Sequence, residues 1–252
     1  MSQHTLRGRR QVRITDPPIP MVLAHATGLD ASALYPLTKE LAPRQCICAE
    51  YIGYPHGGVL PETSILEADA KTVETAIRKA DRPVHLFGHS YGGRVALEVA
   101  RRNLVEIETL IVFEPVVQGA LPHRDISGLL DVHDDYEPFL RSLTDYWGGS
   151  GAWDALSPSY RAQQLRRAVR IHREVSCLAN DKTPPNVFSA LTVPTLVIRG
   201  DYGHEDAVCM TQAVADAVPA STLTVIPKAG HMAPIIDART VGVVIKDWLG
   251  LR

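Results

Sequence analysis

Long apolar runs are missing from this chain of 252 residues. None approaches the roughly 20 consecutive apolar residues that a helix needs to cross a bilayer, so no membrane span is expected. Cysteine is scarce as well. Cys46, Cys48, Cys177 and Cys209 form no Cys-x-x-Cys pair and are too sparse for a disulfide framework. Neither sign of charge prevails, because 26 lysines and arginines face 28 acidic residues and leave a formal net charge of −2. That balance gives no reason to expect nucleic acid or an acidic membrane surface as a partner. Repeats and low-complexity segments are not visible. Met1 to Arg10 carry basic side chains with no apolar segment and cleavage site behind them, which favours a cytoplasmic address over a secretory signal. The run Asp201-Tyr202-Gly203-His204-Glu205-Asp206 has no second ligand cluster at matching spacing, so neither a metal nor another cofactor is expected.

What is present is an ordinary globular composition, 45% apolar and 21% charged, long enough for one catalytic domain with an insertion. Residues 5–14 alternate loosely and read as one or two opening strands, before Asp16-Pro17-Pro18-Ile19-Pro20 breaks the chain. Short apolar runs of the buried-strand kind then recur: Met21 to Ala24, Cys46 to Glu50, the run from Val84, Thr109 to Phe113, Pro194 to Gly200, and Leu223 to Ile226. Between them lie helical patterns at Ala31 to Leu41, Thr63 to Ala80, just after Ser90, Asp206 to Ala217, and Val241 to Leu249. Cys46 and Cys48, two apart, share one face of their strand and read as core. From about 118 to 190 the alternation stops and aromatics collect, including Tyr146, Trp147, Trp153 and Tyr160. The expectation is an α/β architecture with a mostly parallel sheet and helices on both faces. The core would comprise residues 1–117 and 191–252, and a helical cap would be inserted at 118–190.

The stretch Val84-His85-Leu86-Phe87-Gly88-His89-Ser90-Tyr91-Gly92-Gly93-Arg94-Val95-Ala96-Leu97 reads as a strand, a sharp turn and a helix. Gly88 and Gly92 lack the side-chain carbons that would collide where strand and helix converge, and Ser90 is lifted to the positive end of the helix. A serine hydroxyl is essentially un-ionised at neutral pH, so it needs a base. Among ten histidines, His231 is preferred. It follows the last strand in a loop of small neighbours and comes after the serine in the chain. The base in turn needs a carboxylate to fix its tautomer. Glu114, placed at the end of the largely apolar strand run Thr109 to Phe113, is a costly charge unless paired, and Asp201, Glu205 and Asp206 offer a second source. His25, Ser90, Glu114, Asp201 and His231 all fall just after a predicted strand or in the loop that follows one, at one edge of the sheet.

These motifs resemble the α/β-hydrolase-fold serine hydrolases, esterase- and thioesterase-like enzymes with a cap, and the resemblance spans nearly the whole chain. It rests on His25-Ala26-Thr27-Gly28, Gly88-His89-Ser90-Tyr91-Gly92-Gly93, the Pro194 to Gly200 strand and Ala229-Gly230-His231-Met232-Ala233-Pro234. Two departures stand out. Many relatives carry the acid three residues after the glycine that ends the strand, and Gly203 occupies that position here. Some members place it after the preceding strand, and Val112-Phe113-Glu114-Pro115 resembles that arrangement, so Glu114 is the favoured acid, before Asp201 and Asp206. In addition, Ala49-Glu50-Tyr51-Ile52-Gly53-Tyr54 stands where relatives usually show Asp-x-x-Gly-x-Gly.

The oxyanion donors would be the N–H of Tyr91, by its place after the nucleophile, and that of Thr27, by the resemblance. The implied function is hydrolysis of an ester, thioester or related acyl bond of a small-molecule substrate, through an acyl-enzyme and without a cofactor. The rival readings are carbon–carbon cleavage or ring formation in natural-product metabolism on the same fold, and a non-enzymatic receptor. Arg161, Arg166, Arg167, Arg170 and Arg173, interleaved with Leu165, Val169 and Val175, read as the wet face of an amphipathic helix. The sharper alternative is a site for an anionic substrate.

Overall fold

The computed structural model describes residues 17–54, 60, 64–121, 123, 130, 132 and 135–251. The opening strands expected at 5–14 lie outside these. Six short apolar runs form β1 Met21–Ala24, β2 Cys46–Ala49, β3 Val84–His89, β4 Ile107–Phe113, β5 Thr195–Gly200 and β6 Ser221–Ile226. All pairings are parallel, in the order β2-β1-β3-β4-β5-β6. β1 and β3 are buried at every position, as befits strands whose two faces are both covered.

Alternate residues serve opposite faces. Met21, Leu23, Phe87, Ile111, Phe113, Leu196 and Ile198 meet Leu37, Val241 and Ile245 of α1 (Tyr35–Glu40) and α10 (Ala238–Trp248). Val22, Ala24, Leu86, Leu110, Val112 and Val197 meet α2 (Ile65–Lys79), α3 (Tyr91–Arg102) and α8 (Glu205–Ala217) on the other side. The helix expected from Ala31 to Leu41 is divided into a 3-10 turn, Ala31–Leu34, and α1. Pro36 in the first turn of α1 has no N–H to continue the ladder from the preceding turn, which accounts for the break. Cys46 and Cys48 are half-buried against the α1 and α10 core because β2 is an edge strand.

Between β4 and β5 the described chain is helical: α4 Glu137–Gly148, α5 Ala152–Ala155, α6 Pro158–Arg166 and α7 Ala168–Asn180. These helices have a small core of their own, with Phe139, Leu140, Trp153, Ile171 and Val175. Among the described residues no helix is long and apolar enough to cross a membrane. From β1 the chain steps to β2 on one side and then returns to β3 on the other. The crevice at the carboxyl ends of β1 and β3 is therefore the switch point, where such sheets collect ligands.

Candidate active site

Ser90 alone makes the turn between β3 and α3, at φ 56° and ψ −118°, a conformation that costs a non-glycine residue free energy. Neighbouring main chain holds it there. Its N–H donates to the Phe113 carbonyl at 2.9 Å, and its carbonyl accepts from Gly93 at 2.9 Å and Val116 at 3.3 Å. The turn is tight enough that a Cβ on Gly92 would lie 2.3 Å from the Ala24 carbonyl oxygen, so only glycine fits.

The Ser90 hydroxyl lies 3.0 Å from His231 Nε2, and His231 Nδ1 lies 2.6 Å from Glu114 Oε2. All three residues are buried. His231 comes from the loop between β6 and the short α9 (Ala233–Ile236) and is fixed on two further sides. His89 Nε2 donates to its carbonyl at 2.8 Å, and the Trp147 ring from α4 stacks on its imidazole at 4.3 Å and 17°. Burial, and then the neighbouring His231 charge, pushes His89 down to about 3, so it is a neutral donor. Glu114 sits at φ 43°. Its N–H donates to the Ile198 carbonyl at 2.9 Å, and its Oε1 accepts from the Gly200 N–H at 2.8 Å, leaving Oε2 for the imidazole. Gly203, the position where relatives carry an acid, makes room for it: a Cβ there would stand 2.9 Å from Glu114 Oε1. Asp201 is exposed, and Asp206 accepts from the Tyr146 hydroxyl.

Thr27 follows β1 and lines the same cavity as Ser90. Tyr91 is the first residue of α3, a position whose N–H has no intrahelical acceptor. Its hydroxyl points away from the cavity and donates to Asp69 at 2.5 Å. The cavity holds about 270 Å³. Its walls include Leu140, Leu143, Trp147, Ile171, Val175, Leu178 and Met210, and no Asp, Glu, Lys or Arg is among its described lining residues.

The arginine segment departs from expectation. It forms two helices, and Arg167 and Arg170 are each only 3% exposed, while Leu165 and Val169 face solvent at 38% and 53%. Arg166 is exposed, and Arg161 and Arg173 are half-buried. The physical reason is a set of carboxylates, half-buried at Asp30 and buried at Asp69 and Glu174. Arg167 pairs with Asp30 at 2.5 Å, and Arg170 bridges Asp69 and Glu174, the latter at 2.8 Å. Glu174 is fully buried. Burial pushes its carboxyl up to about 7 against the pull of Arg170, with the Asp69 charge adding to the rise. This cluster and the Trp147 stack went unrecognised in the sequence. The available signal was Asp69 at helical spacing with Ile65, Val73 and Ile77 of α2.

A parallel sheet covered on both faces, with a serine in a strained turn after its third strand, is the architecture of an α/β-hydrolase-fold enzyme. The chain belongs to the alpha/beta hydrolase family, whose model matches residues 21–244. It is 24% identical over 190 residues to a Bacillus subtilis (strain 168) protein provisionally named 2-succinyl-6-hydroxy-2,4-cyclohexadiene-1-carboxylate synthase. That match covers 66% of this chain and 65% of the relative's length, just under two thirds. Among solved structures, MenH from S. aureus is similar at 19% identity and a TM-score of 0.72, covering 94% of this chain and 95% of that one. A thermophilic esterase from Thermogutta terrifontis is similar at 21% identity and a TM-score of 0.74, covering 93% and 90%. Both are likenesses of fold.

Proposed function

We propose that this protein is a serine hydrolase that cleaves an ester, thioester or related acyl bond in an uncharged, largely apolar small molecule. The reading is carried by the continuous line from the Ser90 hydroxyl through His231 to Glu114, at 3.0 and 2.6 Å. Ser90 Oγ attacks the substrate carbonyl carbon while His231 Nε2 takes its proton, and Glu114 stabilises the imidazolium and fixes its orientation. The N–H groups of Tyr91 and Thr27 receive the developing oxyanion, each worth on the order of 3 kcal/mol in such sites. His231 then gives its proton to the leaving alcohol or thiol. Water, deprotonated by His231, releases the acid from the acyl-enzyme. The apolar cavity supports an uncharged substrate, since buried carboxylates or phosphates require partners.

A second reading is carbon–carbon cleavage or ring formation on the same fold, and the B. subtilis relative is named a synthase. The product named for the B. subtilis relative bears carboxylates, and the described lining of this cavity has no arginine or lysine to meet them, which favours hydrolysis. The test is labelling with a fluorophosphonate, with the adduct mapped, beside turnover of p-nitrophenyl esters of increasing acyl length. Hydrolysis predicts labelling at Ser90 and ester turnover abolished in Ser90→Ala. No adduct, or an adduct elsewhere, would overturn it.

A further inference from the structure

The loop that carries Thr27 is gripped at its next residue by side chains more than a hundred positions away. The Gly28 carbonyl accepts from Gln164 Nε2 at 3.0 Å and from Arg167 Nη1 at 3.3 Å. The Gly28 N–H donates to the Tyr54 hydroxyl at 3.0 Å, and that hydroxyl donates to Glu174 Oε2 at 3.2 Å. Gln164, Arg167 and Glu174 are 7%, 3% and 0% exposed, and all belong to α6, α7 or the residue joining them. A loop on a crevice rim ordinarily gives its peptide groups to water. Here both polar groups of Gly28 are taken by side chains. Gly28 itself sits at φ 75°, a strained conformation for any other residue, and a Cβ there would stand 2.9 Å from Gln164 Oε1, so a side chain would displace the glutamine.

Packing alone does not account for this arrangement. Burying an amide, a guanidinium and a carboxylate is costly unless each is paired, and apolar residues of the same size would fill the space at lower cost. What the polar groups add is direction. The Gly28 N–H and carbonyl belong to the two successive peptide planes that leave Thr27, and both are held, so the chain is fixed in direction immediately after the residue that carries the N–H. Arg167 is itself fixed by Asp30, and Glu174 by Arg170.

We infer that Gln164, Arg167 and Glu174 are positioning residues for acyl transfer: the helices between β4 and β5 aim the Thr27 N–H at the oxyanion by clamping the Gly28 peptide. The inference rests on the serine-hydrolase reading and on Thr27 as an oxyanion donor. It makes these helices part of the chemical step as well as a cover for the substrate.

The test compares wild type, Gln164→Leu, Glu174→Gln and the exposed control Arg166→Ala. Four quantities are measured: kcat and KM on one p-nitrophenyl ester, fluorophosphonate labelling of Ser90, affinity for an alkyl boronic acid, and the unfolding midpoint. A misaimed donor weakens the transition state more than the ground state. The clamp variants should lose about 10- to 100-fold in kcat, short of a donor removed outright, with KM within about threefold. Boronate affinity should fall in parallel, since the tetrahedral adduct uses the same N–H. Arg166→Ala should match wild type. Folded clamp variants with wild-type kcat and boronate affinity would overturn the inference, and so would a lowered unfolding midpoint as the sole change. If Gln164→Leu does not fold, Tyr54→Phe decides, because it removes the hydroxyl that holds the Gly28 N–H. Wild type unlabelled at Ser90 would instead sink the hydrolase reading itself.

Discussion

Glu114 combines two demands that few positions could meet. Its backbone takes a positive φ of 43°, and its carboxylate serves the Gly200 N–H through one oxygen and His231 through the other. Replacing it by glutamine keeps the shape, removes the charge that in the proposed mechanism stabilises the imidazolium, and turns either an N–H₂ or a carbonyl toward Nδ1. Glu114→Gln should lower kcat by roughly 10³- to 10⁴-fold with little change in KM, by analogy with loss of the triad charge elsewhere. Asp201→Asn, at an exposed side chain, should stay within about twofold of wild type. Steady-state kinetics on one ester checks both, and equal losses would mean that Glu114 is not the acid. The candidate acid could be picked out in the sequence because a charge directly after the apolar run Leu110 to Phe113 is anomalous. Its strained backbone, and the room left by Gly203, depend on how β4, β5 and the loop after β5 come together. No local pattern encodes that.

At the scale of elements, the strands were legible because burial on both faces makes them continuous apolar runs, and the helices flanking them carry clear spacing. The arginine segment was misread because periodicity reports that two faces differ and does not say which face is wet. Only the partners decide, and Asp30 and Asp69 come from segments more than a hundred residues upstream. Helix α3 shows the same dependence on partners. Glu98 receives Arg94 at 3.3 Å, Arg101 at 2.7 Å and Arg102 at 3.1 Å. Burial raises its carboxyl, but the hydrogen bonds from Arg101 and Arg102 and the charge of Arg94 outweigh it and hold it at about 2, below its ordinary 4.5. A depressed carboxyl stabilises the fold fully above its unfolded pKa and loses that contribution as pH falls through the folded one. With a discount for screening at this partly wet site, Glu98→Gln should cost on the order of 1 to 2 kcal/mol near neutral pH. The difference from wild type should shrink between about pH 4.5 and pH 2. Urea titrations at several pH values measure it, and a difference independent of pH would refute the ion-pair account.

For the whole molecule, the joint between the sheet with its flanking helices and the helices between β4 and β5 is polar at its centre. Arg170 on α7 reaches Asp69 on α2, Glu174 shares that guanidinium, and Tyr54, Tyr91 and His25 surround the pair. Burial, with the Asp69 charge adding to it, raises Glu174 to about 7 from an ordinary 4.5 against the pull of the one arginine that the two carboxylates share. A carboxyl raised in the fold works opposite to Glu98. Below about pH 4.5 both folded and unfolded chains are protonated there and nothing is lost. Between 4.5 and 7 the unfolded chain has given up its proton while the native one retains it, so stability falls as pH rises. Above 7 the full penalty stands. Glu174→Gln cannot ionise and escapes this. Relative to wild type, the variant should therefore gain stability across the window from pH 4.5 to 7, by on the order of 2 to 3 kcal/mol for a fully buried group, whatever constant offset its altered hydrogen bonds introduce. Chemical denaturation of both proteins at about pH 4, 5.5 and 7.5 resolves the gain from the offset. A flat difference would show that Arg170 neutralises both carboxylates and that the joint carries no excess charge.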